Sequence, residues 1–193
     1  MMRIITGSAR GTRLQTLTGD STRPTAERTK EAIFSVLQFE LQGKNVLDLF
    51  AGSGQMALEA LSRGAAHAVL CDASRDACRV MEANATKTRL LPKCELYTLD
   101  WSVLLQNLRG RASFGLVFLD PPYSMGAVPS ALKKLLENRL LEENAKIVCE
   151  TADEQDVFAG DELLRSHFEI LRTARYGAAF VTILTWNGKG ESV

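Results

Sequence analysis

The sequence predicts an α/β fold: a doubly wound, mostly parallel seven-stranded sheet with an antiparallel C-terminal strand pair, preceded by an N-terminal β-hairpin and helix. Three observations carry this expectation. From Lys44 onward, short apolar runs alternate with helically spaced ones, the rhythm of β–α units packed on a parallel sheet. The run 114–119 is apolar almost without interruption, as a strand covered on both faces requires. Gly52 and Gly54 follow the first strand of the series and open a helix, where such sheets turn their backbone toward ligands.

The elements follow in order. Arg3-Ile4-Ile5-Thr6 and Arg13-Leu14-Gln15-Thr16 are short β-like runs, and Gly7-Ser8-Ala9-Arg10-Gly11 between them reads as a hairpin loop. Thr22-Arg23-Pro24-Thr25 is a helix start with Pro in the first turn. Ile33, Phe34, Leu37 and Leu41 recur at helical spacing and predict an amphipathic helix over 25–41, with Arg28 and Lys30 on its exposed face. Strands are expected at 45–50, 66–71, 94–99, 114–119 and 146–149. Helices are expected at 55–63, at 74–88, from the third strand through Leu108, and at 130–141. Residues 168–176 and 178–186 form the antiparallel pair around Gly177. The chain divides into an N-terminal hairpin and helix, 1–43, and the sheet domain, 44–193.

Composition bounds the function. At 193 residues the chain can bury a core without disulfide or metal staples. Its 23 basic and 23 acidic residues cancel, which excludes a uniformly basic protein. The charge is unevenly placed, however. Residues 1–30 hold six basic residues against two acids, whereas 137–169 hold ten acids against three bases. A basic head on a neutral chain fits a local anionic partner or a solvated surface. No apolar run approaches the roughly 20 residues of a membrane span, and Met1 to Thr6 hold no signal-peptide core. A cytoplasmic protein is therefore expected. Cys71, Cys78, Cys94 and Cys149 form no C-x-x-C pair, and His67 and His167 stand far apart; reduced, apolar cysteines and no metal are expected.

Asp48-Leu49-Phe50-Ala51-Gly52-Ser53-Gly54 carries the first chemistry. The glycines let backbone approach a ligand, and the N–H groups of the following helix face it. Gly52-x-Gly54-x-x-Ala57 also fits a dinucleotide loop, so NAD is a rival ligand. Asp48 argues against a pyrophosphate and for an ammonium group. S-adenosylmethionine offers an ammonium, a sulfonium and a carboxylate, and no phosphate. Asp72, about twenty residues past Gly52, stands where an acid grips ribose hydroxyls. Asp100 ends the third strand, where it could accept from an adenine amine, and Trp101 could cover the adenine face. Asp72 and Asp100 taken singly also read as helix N-caps.

Asp120-Pro121-Pro122-Tyr123 is the sharpest signal. Two prolines fix two φ angles and remove two donors, leaving nearby carbonyls free to point into a site. With the Asp120 carboxylate and the Tyr123 ring, such a turn suits a planar group bearing –NH₂.

On these residues the chain resembles the S-adenosylmethionine-dependent amino-group methyltransferases. It resembles most the family of bacterial 16S ribosomal RNA guanine-N2 methyltransferases of the small subunit. The matching strings are Arg3-Ile4-Ile5-x-Gly7, Thr22-Arg23-Pro24-Thr25, Glu31-Ala32-Ile33-Phe34, Asp48 through Gly54, Leu58-Glu59-Ala60-Leu61-Ser62-Arg63-Gly64-Ala65, Asp120 through Tyr123 and Arg175-Tyr176-Gly177. Asp72-Ala73 and Ala178-Ala179 depart from the family's usual Glu-Lys and Asp-Thr. The resemblance implies a Rossmann-like methyltransferase fold and methyl transfer from S-adenosylmethionine to the N2 of a guanine in 16S ribosomal RNA. Asp120, Pro121, Pro122 and Tyr123 would be catalytic, and Asp48, Phe50, Ala51, Gly52, Ser53, Gly54, Asp72, Asp100 and Trp101 would bind cofactor. Arg3, Arg10, Arg13, Arg23 and Arg28 would meet RNA phosphates, making 1–43 the RNA-binding part. The expected partner is a partly or fully assembled small subunit, met by a monomer. An adenine-N6 methyltransferase acting on DNA or RNA is the rival with the same turn, and a dinucleotide-dependent oxidoreductase the rival for the loop.

Overall fold

Seven apolar runs assemble into one sheet in the computed structural model, which describes residues 2–17 and 24–188. The strands are β1 (Asn45–Asp48), β2 (His67–Asp72), β3 (Cys94–Thr98), β4 (Phe114–Leu119), β5 (Leu141–Thr151), β6 (Phe168–Tyr176) and β7 (Ala179–Trp186), in the order β3-β2-β1-β4-β5-β7-β6. β1 to β5 are parallel, and β7 lies antiparallel between β5 and β6. The strand order reverses between β1 and β4, so a crevice opens at their C-terminal ends.

Helices α1 (Pro24–Val36), α2 (Gln55–Ser62), α3 (Arg75–Lys87), α4 (Trp101–Leu108), α5 (Val128–Glu137) and α6 (Glu162–Ser166) cover the sheet. Because strand side chains alternate, each strand serves two cores. Val46, Leu70, Leu116 and Phe118 pack with Phe34, Leu58, Leu61 and Met81 on one face. Leu47, Val69, Val117 and Ile147 pack with Leu104, Leu105, Leu132 and Leu135 on the other. All four cysteines are free, with Cys71 and Cys149 fully buried.

Several expectations are corrected. α1 ends at Val36, five residues short of the expected end. Leu37 and Leu41 are buried nonetheless, because a turn closed by Glu40 N–H on the Leu37 carbonyl folds them under the sheet. The helix expected over 130–141 begins at Val128 and stops at Glu137, where Arg139 takes a positive φ of 55°. β5 starts at Leu141, pairs there with Phe114, and resumes its ladder at Lys146 after an irregularity that includes Asn144 at φ 60°. The N-terminal hairpin is reduced to one antiparallel bridge, Arg3 with Arg13.

Beyond the bonds within the hairpin, four of its N–H groups are satisfied by α2 beneath it. Glu59 on α2 accepts from the Ile5 and Thr6 N–H groups at 2.7 and 3.0 Å. Ser62 accepts from Ala9 N–H through its hydroxyl and from Ser8 N–H through its carbonyl. A Cβ on Gly7 would lie 1.7 Å from that carbonyl, so only glycine fits this contact. Lys30, expected on the exposed face of its helix, is instead 2% exposed. Its ammonium donates to the Arg3 carbonyl at 2.6 Å and stands 3.6 Å from Glu59. A buried carboxylate draws the cation inward despite the polar spacing. Ile4, Leu14, Ile33 and Phe34 join the same core as α2.

Candidate active site

The crevice between β1 and β4 collects residues from six places in the sequence. A cavity of about 340 Å³ is lined by Asp48, Phe50 and Ala51 from the first loop, Asp120 and Tyr123 from the Asp-Pro-Pro-Tyr turn, and Glu150 from β5. Its far walls are Thr29, Lys30 and Ile33 of α1, Gln55 and Met56 of α2, and Tyr176-Gly177-Ala178. The Gly177 turn offers mainly backbone and methyl groups here, which is what the Ala178-Ala179 departure leaves.

Asp48 is 3% exposed, and its Oδ2 has no hydrogen-bond partner among the described residues. Burial pushes its pKa up to about 7, while the N–H groups of Ala57 and Phe50 pull the other way and Asp72 adds to the rise. Such an orphaned acceptor at the edge of a cavity lacks a donor. The loop beside it is shaped by Gly52 at φ 52° and Gly54 at φ 76°. A Cβ on Gly54 would press on Met81 and Leu70 at 2.9 and 3.1 Å. Gly54 caps α2 without a side chain, and Asp48 engages only the Ala57 N–H of that helix start. An orphaned buried carboxylate next to an uncapped helix start fits a ligand bearing an ammonium and a carboxylate together, as S-adenosylmethionine does.

The remaining loop residues are held from outside. Ser53 is buried. Its carbonyl accepts from Asn84 at 2.9 Å, and Asn84 also pairs with both backbone groups of Gln15. Met2 Sδ lies 3.2 Å from Ser53 Oγ. The N-terminal segment thus reaches the glycine loop, a proximity that nothing in the amino-acid order signals. Asp72 accepts from Gly52 N–H at 3.0 Å and Ser74 N–H at 2.8 Å, so it braces the loop from the end of β2. Asp100 is exposed and caps α4, accepting from the Ser102 N–H and hydroxyl. Those bonds, led by the hydroxyl, hold its pKa down. Trp101 leans on Phe50 at 6.1 Å between ring centroids, with the planes 49° apart.

In the Asp-Pro-Pro-Tyr turn the Pro122 carbonyl accepts from Met125 N–H at 2.9 Å, which engages one of its two lone pairs. The Pro121 carbonyl has no hydrogen-bond donor among the described residues. Tyr123 is half exposed, and its hydroxyl donates to Glu150 Oε1 at 2.9 Å. Burial, then this carboxylate, pushes the phenol upward. Glu150 escapes the sequence reading, which ends its strand at Cys149. The strand-end rule that finds the four aspartates would find it one residue further on. Arg3, Arg10, Arg13 and Arg28 are exposed on the N-terminal segment, Arg3 paired with Glu27 at 2.7 Å. Arg23 lies outside the described residues.

Sheet order, glycine loop and strand-end acceptors define a Rossmann-like methyltransferase. The chain belongs to the family described as conserved hypothetical protein 95, whose profile matches residues 2–185. It is similar to YlbH of Bacillus subtilis, provisionally named an rRNA methyltransferase: 37% identical over 150 residues, 77% of this chain and 82% of that one. It is 32% identical to ribosomal RNA small subunit methyltransferase D of Haemophilus influenzae over 151 residues, 78% of each chain. The structure of Escherichia coli yhhF, provisionally titled a methyltransferase, superposes with a TM-score of 0.83 at 26% identity, covering 97% of this chain and 99% of that one.

Proposed function

We propose that this protein transfers a methyl group from S-adenosylmethionine to the exocyclic N2 of a guanine in 16S ribosomal RNA, on a partly or fully assembled small subunit. One observation carries the reading. The orphaned Asp48 carboxylate and the Asp120–Tyr123 acceptors open on a single cavity, so a cofactor's ammonium end and an amine-bearing base meet there. The relatives named as ribosomal RNA methyltransferases supply the substrate class. S-adenosylmethionine, when bound, supplies an activated methyl on its sulfonium. Asp48 would hold its ammonium, the α2 start and the Phe50–Gly54 loop its carboxylate, and Asp72 its ribose. Phe50, Trp101 and Asp100 would border its adenine.

A guanine amine is a weak nucleophile because its lone pair is delocalised into the base. Asp120 and the Pro121 carbonyl accept its protons and turn the lone pair toward the incoming carbon, with Pro122 stiffening the turn. The Tyr123 ring stacks on the base, which must leave its helix to enter. The test is tritiated methyl transfer to small subunits from a strain lacking this protein, followed by mapping of the modified base. Label on an adenine would select the rival reading.

The raised pKa of Asp48 gives a pH dependence. The folded chain keeps a proton that the unfolded chain releases near pH 4, so the added stability is full below that pH. It is lost as pH rises to about 7, at about 1.4 kcal/mol per unit. Cofactor affinity should run the opposite way, rising through pH 7 as the carboxylate ionises toward the ammonium. Asp48→Asn should stabilise the free protein above pH 7 and weaken and flatten cofactor binding by calorimetry. Unchanged affinity would mean that the loop has been misread.

Residues 1–43 would supply the RNA contacts. Neutralising Arg3, Arg10 and Arg13 together should weaken subunit binding and reduce its salt slope by about 0.7–0.9 for each phosphate left unneutralised. Cofactor affinity should hold, because these side chains are exposed and the hairpin reaches the glycine loop through Met2 and Gln15 instead. An unchanged slope would move the RNA contact elsewhere.

A further inference from the structure

Glu150 is the one carboxylate of the cavity to which the reaction above gives no part. Leu119 pairs with Cys149 in the sheet, so Glu150 stands beside Asp120 on the neighbouring strand. Both line the cavity with Asp48 and Tyr123. The Tyr123 hydroxyl holds Oε1 at 2.9 Å and is its one hydrogen-bond partner among the described residues. The other oxygen keeps its lone pairs. Val148, Phe118 and Val181 surround this corner, and burial pushes the Glu150 pKa up while the Tyr123 hydroxyl restrains the rise. A carboxylate kept in such a place costs stability, so it asks for a donor.

Asp120 and the Pro121 carbonyl accept from an amino group, which guanine and adenine both carry. The atom that separates the two bases lies next to that amine. Guanine presents N1–H beside its N2 amine, whereas adenine presents a bare N1 lone pair beside its N6 amine. Resting on the guanine-N2 reading, we propose that Glu150 selects the base by accepting the guanine N1–H while Asp120 and Pro121 take the amine. A carboxylate attracts the paired donors of guanine and repels the adenine N1 lone pair, so one residue supplies both the favourable contact and the penalty. The bond to Tyr123 aims the carboxylate and ties base choice to the stacking ring.

The test uses small subunits reconstituted with 16S rRNA carrying guanine or 2-aminopurine at the methylated position. 2-Aminopurine keeps the N2 amine but has no proton on N1. In single-turnover transfer the wild-type enzyme should prefer guanine by about ten- to hundredfold. Glu150→Gln should lower that preference at least about tenfold, because its carboxamide can donate to the bare N1. Glu150→Asp, with charge retained one methylene shorter, should transfer more slowly and keep the preference. An unchanged preference in the Gln variant overturns the proposal, and so does its loss in the Asp variant. A Gln variant that binds cofactor but methylates neither base also overturns it, since Glu150 would then only support Tyr123. If the wild-type enzyme methylates an adenine in these subunits and no guanine, the guanine reading itself has failed.

Discussion

Asp120→Ala should lower methyl transfer by roughly 10²-fold or more and leave cofactor affinity unchanged. Asp120 stands at the end of β4, two residues past the Phe118 that pairs with Asp48. The two carboxylates therefore share the cavity from different strands, and on this reading divide its labour. On that reading Asp48 would face the cofactor and Asp120 the amine. Removing Asp120 leaves the prolines to shape the turn and the Pro121 carbonyl as a lone acceptor, which cannot fix both amine protons. The measurement is single-turnover transfer to small subunits beside cofactor titration of the same variant. Near-normal turnover would sink the assignment. Loss of cofactor binding would mean that Asp120 belongs to the cofactor's site.

The second large effect lies away from the chemistry. Glu59 is fully buried and accepts from Ile5 N–H, Thr6 N–H and Arg63 Nε, with Lys30 3.6 Å away. Glu59→Ala should cost about 3–5 kcal/mol, because it leaves a buried ammonium without its counter-charge and two part-buried amides without their acceptor. Burial already lowers the Lys30 pKa, and Glu59 is the main force holding it up. In the variant the unfolded chain would therefore bind that proton more readily, and stability should rise with pH toward the alkaline side. Denaturant unfolding at several pH values measures both effects. A destabilisation below about 1 kcal/mol would show that the N-terminal segment is held by its apolar contacts and its bonds to Ser62 and Asn84, without need of Glu59. Because α1 walls the base cavity and α2 begins at the glycine loop, subunit methylation should fall with stability.

The amino-acid order determined the sheet and its chemistry. Residues 114–119 and 168–176 are legible in it with the bounds they have in the structure. Apolar continuity and strand alternation are local signals that folding preserves. The Asp-Pro-Pro-Tyr turn is legible because proline removes backbone donors wherever it stands. Tertiary structure decided what depends on partners distant in sequence. Lys30 reads as surface until Glu59, 29 positions later, buries it. Asp72 reads as a ribose ligand or a helix N-cap, and only the fold shows it holding the Gly52 N–H; Asn84, which holds the Ser53 carbonyl, carries no signal in the amino-acid order. Glu150 meets Tyr123 across two strands, a pairing set by sheet register. Polar side chains commit only when a fold brings a donor to an acceptor and takes water away from both. That pairing has no period along the chain, whereas burial of an apolar face does.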